Sequence, residues 1–420
     1  MKDRVLFLVE NLSFPQDRRV RAEAESLRDA GYEVTVISPT SPKAPDLEAD
    51  VGGIRALRFP VSASPGGAVG YLREYLHAAV GVRRIVRRLR NEQPFDVVIA
   101  ANPPDFLLQL ARPLRRRGAG LIFDYHDPAP ELFEDMFNRR GLLHRVLVIF
   151  ERAAQRLADL VITVNEPCAE LVRRRGGIPD QNIYVVYNGP DPGKFYPVAP
   201  NPELRHGRKH LVLWVGAMSR KEGLGKLIDA ADELVHGQGR DDVAFAIVGD
   251  GDIRTALEKE IADRNLAGVV FLPGFVEEPL LREYMSTASV CVSLDEPSEL
   301  NDRSLMIKVL EYMIMGRPVV QYPLQEIKRV CADTAVYLDE GDARDLAAKI
   351  AGLINDPEGA EQLGSAARER LFDGFTWPEQ VPTLLSAVSR AAAIGRERSK
   401  RSRLAATTSA PRVAPAKDEQ

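Results

Sequence analysis

Residues 210–218 read His210-Leu211-Val212-Leu213-Trp214-Val215-Gly216-Ala217-Met218, a short apolar run that stops at a glycine. Such a run, too short for a helix and without helical spacing, predicts a strand buried on both faces and then a turn. The unit recurs downstream, where Val243 to Val248 leads into Gly249-Asp250-Gly251 and the run at 269–272 leads into Pro273-Gly274-Phe275. Further strands are expected near 289–293, 318–320 and 335–338, with helix-length segments between them. Upstream the alternation is the same, with strands near 4–9, 33–37, 54–59, 96–100, 120–124, 160–164 and 183–187. Strand and helix alternating in this way predict an α/β chain with parallel sheets, and 420 residues exceed one ordinary core, so two domains are expected.

The division falls where the apolar pattern lapses, in Asn188-Gly189-Pro190-Asp191-Pro192-Gly193 and the proline-bearing stretch 197–202. The expected boundaries are a first domain over 1–190, a linker over 191–209 and a second domain over 210–375. A C-terminal helix over 376–395 is expected to pack back toward the first domain. Residues 396–420, rich in Ser, Ala and Arg, lack the apolar content to fold and read as a disordered tail.

A net charge of −4 argues against nucleic-acid binding, and 45% hydrophobic with 28% charged residues is a globular composition. Cys168, Cys291 and Cys331 are widely spaced and form no C-x-x-C pair, so neither a disulfide framework nor a metal site is expected. With no signal-like leader and no run of apolar residues long enough to span a bilayer, the chain reads as cytoplasmic.

In an open parallel sheet, ligands collect beyond the carboxyl ends of the strands. Gly216 is therefore placed to lie under a phosphate, with Arg220 and Lys221 neutralising its charge; the alternative is a plain strand-to-helix turn carrying surface cations. The segment Asn301 to Val320 is more specific. Asn301 or Asp302 is expected to cap a helix that Gly316 ends, and on it Lys308 and Glu311 share a face. An ammonium beside a carboxylate suits a diphosphate and a ribose diol, although a surface ion pair has the same spacing. Tyr71 to Arg90 carries apolar residues near helical period and a late cluster of arginines; it suits either an anionic membrane surface or an ordinary solvated helix face.

Three motifs together, Asn188-Gly189-x-Asp191-x-x-x-Phe195, Val248-Gly249-Asp250-Gly251 and Glu311-Tyr312-Met313-x-x-Gly316-Arg317-Pro318-Val319-Val320, resemble glycosyltransferase family 4. Within it the chain is most similar to a bacterial cell-surface polysaccharide branch that includes L-fucosamine transferase-like enzymes. Pro15 to Val20, Asn102-Pro103-Pro104-Asp105, Phe123-Asp124-Tyr125-His126-Asp127 and Leu300 to Ser304 add to the likeness. The resemblance implies the GT-B fold, two Rossmann-like domains facing across a cleft. It also implies a nucleotide-sugar donor on the second domain, a glycan or lipid-linked acceptor on the first, and retention of configuration with neither metal nor cofactor. By the same resemblance Glu311 would bind the donor ribose, Gly274 and Phe275 would flank the base, Gly216, Arg220 and Lys221 would line the diphosphate, and Asp250 would be a further donor-side residue. His126, next to Asp127, would reach the donor sugar.

The chain departs from the family pattern at instructive places. Where the family has the first of two glutamates, this chain has Arg303, which cannot accept a hydrogen bond but can bind phosphate, leaving Asp302 or Glu299 for sugar hydroxyls. The family's arginine and lysine positions hold Ala217 and Glu222, with Arg220 and Lys221 as displaced substitutes. His126 alternatively reads as an interior histidine bonded to a backbone carbonyl, and Asp127 as a helix cap. Asp17, Arg18, Arg19 and Glu23 are either acceptor groups or the start of a solvated helix. A nucleotide-sugar epimerase and a non-catalytic nucleotide-sugar-binding protein are the rival readings.

Overall fold

The computed structural model describes residues 2–61, 67–137 and 141–408. The chain forms two compact units, Met1–Val186 with Val381–Gln420, and Tyr187–Gln380. The first holds β1 (Arg4–Leu8), β2 (Glu33–Pro39), β3 (Glu48–Val51), β4 (Ile54–Phe59), β5 (Val97–Ala101), β6 (Gly120–Tyr125), β7 (Leu160–Thr163) and β8 (Ile183–Val185). Their order is β3-β4-β2-β1-β5-β6-β7-β8, parallel throughout except that β3 runs antiparallel to β4. Every residue of β1, β5, β6 and β7 is buried, as continuous apolar runs between two helical layers require. β3 escapes a sequence reading because Glu48-Ala49-Asp50-Val51 is a half-exposed edge strand with no apolar run.

The second unit holds β9 (His210–Val215), β10 (Val243–Val248), β11 (Val270–Gly274), β12 (Val290–Ser293), β13 (Val319–Gln321) and β14 (Val336–Tyr337), in the order β11-β10-β9-β12-β13-β14 and wholly parallel. Each sheet reverses its winding once, between β1 and β5 in the first unit and between β9 and β12 in the second. Helices leave opposite faces at such a point and open a crevice beyond the strand ends, which locates the ligand-binding edge of each unit.

Three expectations are corrected. The segment 191–209 is not a free linker but part of the second unit. Val198 N and Asn201 N donate to Ser286 Oγ (3.0 Å) and Thr287 Oγ1 (2.8 Å) of the helix Glu278–Thr287, and Arg282 covers the Tyr196 ring. The final helix runs Trp377–Thr408 rather than ending near residue 395, and residues 409–420 lie outside the described part. Its later turns are anchored by charge instead of apolar burial, since Arg398 reaches Asp159 (2.7 Å) and the Ala119 carbonyl (2.6 Å) while Arg396 meets Asp3. No single helix spans 301–315: Asn301–Arg303 is one 3-10 turn, and the helix proper is Ile307–Ile314. Arg303 and Glu311 are therefore not separated by a straight run of helix, and neither Asn301 nor Asp302 is its cap.

Candidate active site

In the second unit, β9 ends at Val215, whose N–H donates to the Tyr312 hydroxyl (2.9 Å) on the helix Ile307–Ile314. The turn that follows is held by backbone alone: Gly216 N donates to the Val248 carbonyl (3.0 Å) and Met218 N to that of Asp250 (2.9 Å). This approach requires glycine on the facing loop. A Cβ at Gly249 would lie 1.8 Å from the Gly216 oxygen, and one at Gly251 would lie 2.2 Å from the Met218 oxygen. Those two glycines serve loop-to-loop packing, so their presence needs no ligand.

Beyond Met218, Arg220–Glu222 forms a 3-10 turn that leaves Arg220 and Lys221 exposed. Glu222 turns inward and pairs with Lys308, whose ammonium also lies 3.2 Å from Asp295, just past the end of β12, and 4.9 Å from the centre of the buried Trp214 ring. Lys308 thus pins the cationic turn to the carboxyl end of β12, at the winding reversal. Burial raises the Glu222 pKa from its ordinary value; Lys308 lowers it and Asp295 raises it. Glu311 follows Lys308 by three residues and is 5% exposed. Phe275 stands 70% exposed after β11, Gly274 is buried and Asp250 is exposed. Asp302 accepts from Gln325 N (3.3 Å), and Arg303 donates to the Glu299 carbonyl (2.8 Å).

In the first unit, β6 alternates its side chains so that Asp124 and His126 project to the same side. His126 Nε2 meets Asp124 Oδ2 at 2.5 Å, so it is a carboxylate and not a backbone carbonyl that holds the ring. Arg19 bonds the other Asp124 oxygen (2.9 Å) and the Val186 carbonyl (2.9 Å), and lies 3.1 Å from Glu23. Burial favours a neutral Asp124, yet Arg19 and His126 outweigh it and hold the carboxyl well below its usual range. For His126, burial opposes the charged form, but Asp124 prevails and raises its pKa. Glu23, fully buried with no aligned hydrogen bond among the described residues, is pushed up to about 8 by burial and then by Asp124.

Asn102, at the end of β5, sets the loop carrying His126 and Asp127. Its Oδ1 accepts from His126 N (2.6 Å) and Asp127 N (3.3 Å), and its Nδ2 donates to Asp105 (2.8 Å) and the Asp127 carbonyl (2.7 Å). A small cavity at this spot is lined by Glu10, Asp17, Asn102, His126 and Asp127 among others.

Several expected groups thus cluster, and some change role. Asp17, His126 and Asp127 share one cavity, but Asp17 also caps its helix by accepting from Val20 N (3.0 Å). Arg19 is consumed by Asp124 and Glu23 and is not an acceptor-side contact; Arg18 is exposed. Lys308 faces Glu222 and Asp295, so its role is bracing rather than forming a simple pair with Glu311. Asn102, Asp124, Glu222 and Asp295 were not foreseen as site residues. Asn102 and Asp124 lay within segments that carry the family likeness and Glu222 at a family cation position, but nothing local in the sequence signalled their partners. Among the described residues no group of three or more His, Cys, Asp or Glu is arranged to hold a metal ion.

Comparison with known proteins gives two family matches, "Glycosyltransferase Family 4" over residues 16–194 and "Glycosyl transferases group 1" over residues 209–356. Among curated relatives, the alpha-maltose-1-phosphate synthase of Mycolicibacterium smegmatis is 28% identical over 251 residues, which is 54% of this chain and 62% of that protein. The 2-deoxystreptamine N-acetyl-D-glucosaminyltransferase of Streptomyces fradiae is 26% identical over 361 residues, 82% of this chain and 83% of that one. The sucrose-phosphate synthase from Thermosynechococcus elongatus superposes with a TM-score of 0.73 at 19% identity, covering 97% of this chain and 100% of its own. Anabaena Alr3699/HepE, solved in complex with UDP and glucose, gives 0.65 at 19% identity over 97% and 99% of the two chains.

Proposed function

The chain belongs to glycosyltransferase family 4, on the GT-B fold, and from that premise we propose that it moves a sugar from a nucleotide-diphosphate donor to a glycan or lipid-linked glycan. One observation carries the donor assignment: the turn Arg220–Glu222 is braced by Lys308 at the winding reversal of the second sheet, with two exposed cations in the segment that follows Gly216. Arg220 and Lys221 take the diphosphate, Glu311 accepts hydrogen bonds from the ribose hydroxyls, and Phe275 offers a face to the base. A uridine nucleotide is the first to test, since the Anabaena protein was solved with UDP.

Glycosyl transfer develops positive charge on the sugar and negative charge on the departing diphosphate. Fixed cations answer the second without a metal, and the leaving group needs charge stabilisation more than it needs a protein acid. Attack from the face that the diphosphate leaves retains configuration, with the leaving group itself taking the acceptor proton. His126, its ring fixed by Asp124, supplies a hydrogen bond to a sugar hydroxyl.

A lipid-linked acceptor, and a place in cell-surface polysaccharide synthesis, fit one further surface. Among the described residues no helix is long and apolar enough to cross a membrane. On the helix Gly67–Leu89, Leu76 and Val80 are exposed and share a stripe with the exposed Arg83 and Arg87. Such a stripe suits the face of an anionic bilayer. Flotation with anionic vesicles is expected at low salt and is lost at high salt; no flotation at either removes the membrane reading.

A thermal-shift panel of UDP-, GDP-, TDP- and ADP-sugars in EDTA tests the function. One nucleotide class should stabilise the chain by about 2.7 kcal/mol at a hundred times its Kd. Stabilisation by none, or by each only when a divalent metal is added, overturns the reading.

A further inference from the structure

The winding reversal of the first sheet carries two adjoining cavities that share Glu10 and Asn11. The larger, about 160 Å³, is lined by Phe59, Val61 and Ala78 together with Glu10, Glu74 and His77, among others. The smaller adds Asp17 and Asp127. Four carboxyl groups therefore line the pair together with His77 and His126, and among the described residues neither a lysine nor an arginine does, although residues 1–190 hold more basic than acidic side chains.

Glu10 is the telling residue. It lies two residues past the end of β1, is only 7% exposed, lines both cavities, and its carboxylate has no hydrogen-bond partner among the described residues. A carboxylate on so buried a residue that no described group hydrogen-bonds is costly, and a ligand in the cavities it lines would complete it. Its pKa is raised to about 7, first by burial and then by Glu74, so the empty cavity penalises the charge that a cation would relieve. A neutral sugar would offer hydroxyls to these groups but would leave that charge uncompensated. An ammonium would form charge-assisted bonds to both glutamates while the ring lay on Phe59 and Val61.

We propose that this pair of cavities is the acceptor subsite and that it takes a polyhydroxylated ring bearing a protonated amine, an amino sugar or aminocyclitol, with the ammonium between Glu10 and Glu74. The inference rests on the transferase reading above and narrows its acceptor class.

Calorimetric titration of the full chain with glucosamine and with glucose, which differ only in the amine, tests it. Glucosamine is expected to bind about tenfold more tightly, the difference between a charged and a neutral hydrogen bond. Glu10→Gln and Glu74→Gln, each checked by thermal melting, should each erode that preference, and the double variant should abolish it. Glu74 is only partly buried, so its variant reads the site even if Glu10→Gln folds poorly. Equal affinity for the two sugars in the wild type overturns the inference, as does a preference that survives the double variant. Donor stabilisation, measured on the same samples, keeps the two readings separable: a chain that binds a nucleotide sugar but not the amine loses only the acidic subsite. A chain that no nucleotide sugar stabilises loses the transferase reading, and the acceptor assignment with it.

Discussion

Replacing Lys308 by methionine removes the brace between the cationic turn and the end of β12. The side chains of Lys308, Glu222 and Asp295 are 11, 19 and 12% exposed, so the trio sits in a medium far less screening than water. At the 3.2 Å separation of Lys308 from Asp295, a unit pair at an effective dielectric of 20 gains about 5 kcal/mol before desolvation. Removing the cation strands two carboxylates side by side, and the net loss of stability should be about 3 kcal/mol near neutral pH.

The loss must also depend on pH. Burial and Asp295 already raise the Glu222 pKa, and the variant deletes the lysine that lowers it. A raised folded-state pKa gives stability that is complete below the ordinary carboxyl range and is lost as pH rises through the raised value. The deficit should therefore be about 1 kcal/mol at about pH 5 and about 3 kcal/mol at about pH 8. Urea unfolding followed by circular dichroism at both pH values measures it. The double variant Lys308→Met with Glu222→Gln should recover most of the loss. A deficit that is equal at the two pH values, or a double variant no more stable than the single, would refute the bracing role.

Glu311→Ala should weaken donor binding by about 2 kcal/mol, some thirtyfold, through the lost ribose hydrogen bonds; unchanged affinity in a direct titration removes the ribose assignment. Gly249→Ala sets a methyl 1.8 Å from the Gly216 oxygen at a residue with φ of +138°, and should cost about 3 kcal/mol or more in chemical denaturation. A melting curve that is unmoved would show that the two loops separate freely. For Glu23, whose pKa of about 8 lies above its ordinary value, stability is complete below the ordinary range and falls as pH rises through 8. Glu23→Gln should flatten that fall in a pH series of melting temperatures, and a slope identical to wild type would place the titration elsewhere.

The strands were legible because parallel sheets buried on both faces demand unbroken apolar runs. His210 to Val215 and Val243 to Val248 form strands with the bounds the sequence suggested. What escaped reading lacked that signature. β3 alternates charge along an exposed edge, and the last turns of the final helix are held by Arg396 and Arg398, whose composition resembles that of a disordered tail. The single helix expected over 301–315 is broken after Arg303, because Ser304 adopts extended backbone and Met306 starts the helix anew.

Of the site, position along the chain was readable and partnership was not. Gly216, Arg220, Lys221 and Glu311 follow strands or sit on the expected helix. The pairing of Lys308 with Glu222, however, joins residues 86 apart, and that of Arg19 with Asp124 joins residues 105 apart. No periodicity reports a contact between elements that only the sheet order brings together. An arginine after the first strand thus read as a candidate for acceptor binding, whereas its charge is spent on Asp124.

The final helix has a bearing on how the chain is made. Residues 381–408 complete the unit that Met1–Val186 begins, and around Ala391 and Gly395 they fit it closely: a methyl at Gly120 would lie 2.0 Å from the Ala391 oxygen, and one at Gly395 would lie 2.2 Å from that of Gly118. A ribosome therefore releases every strand of the first sheet long before the helix that caps it emerges. Until then a groove shaped for that helix stays open to chaperones, and a message truncated after Gln380 would yield one finished lobe and one lacking its last piece.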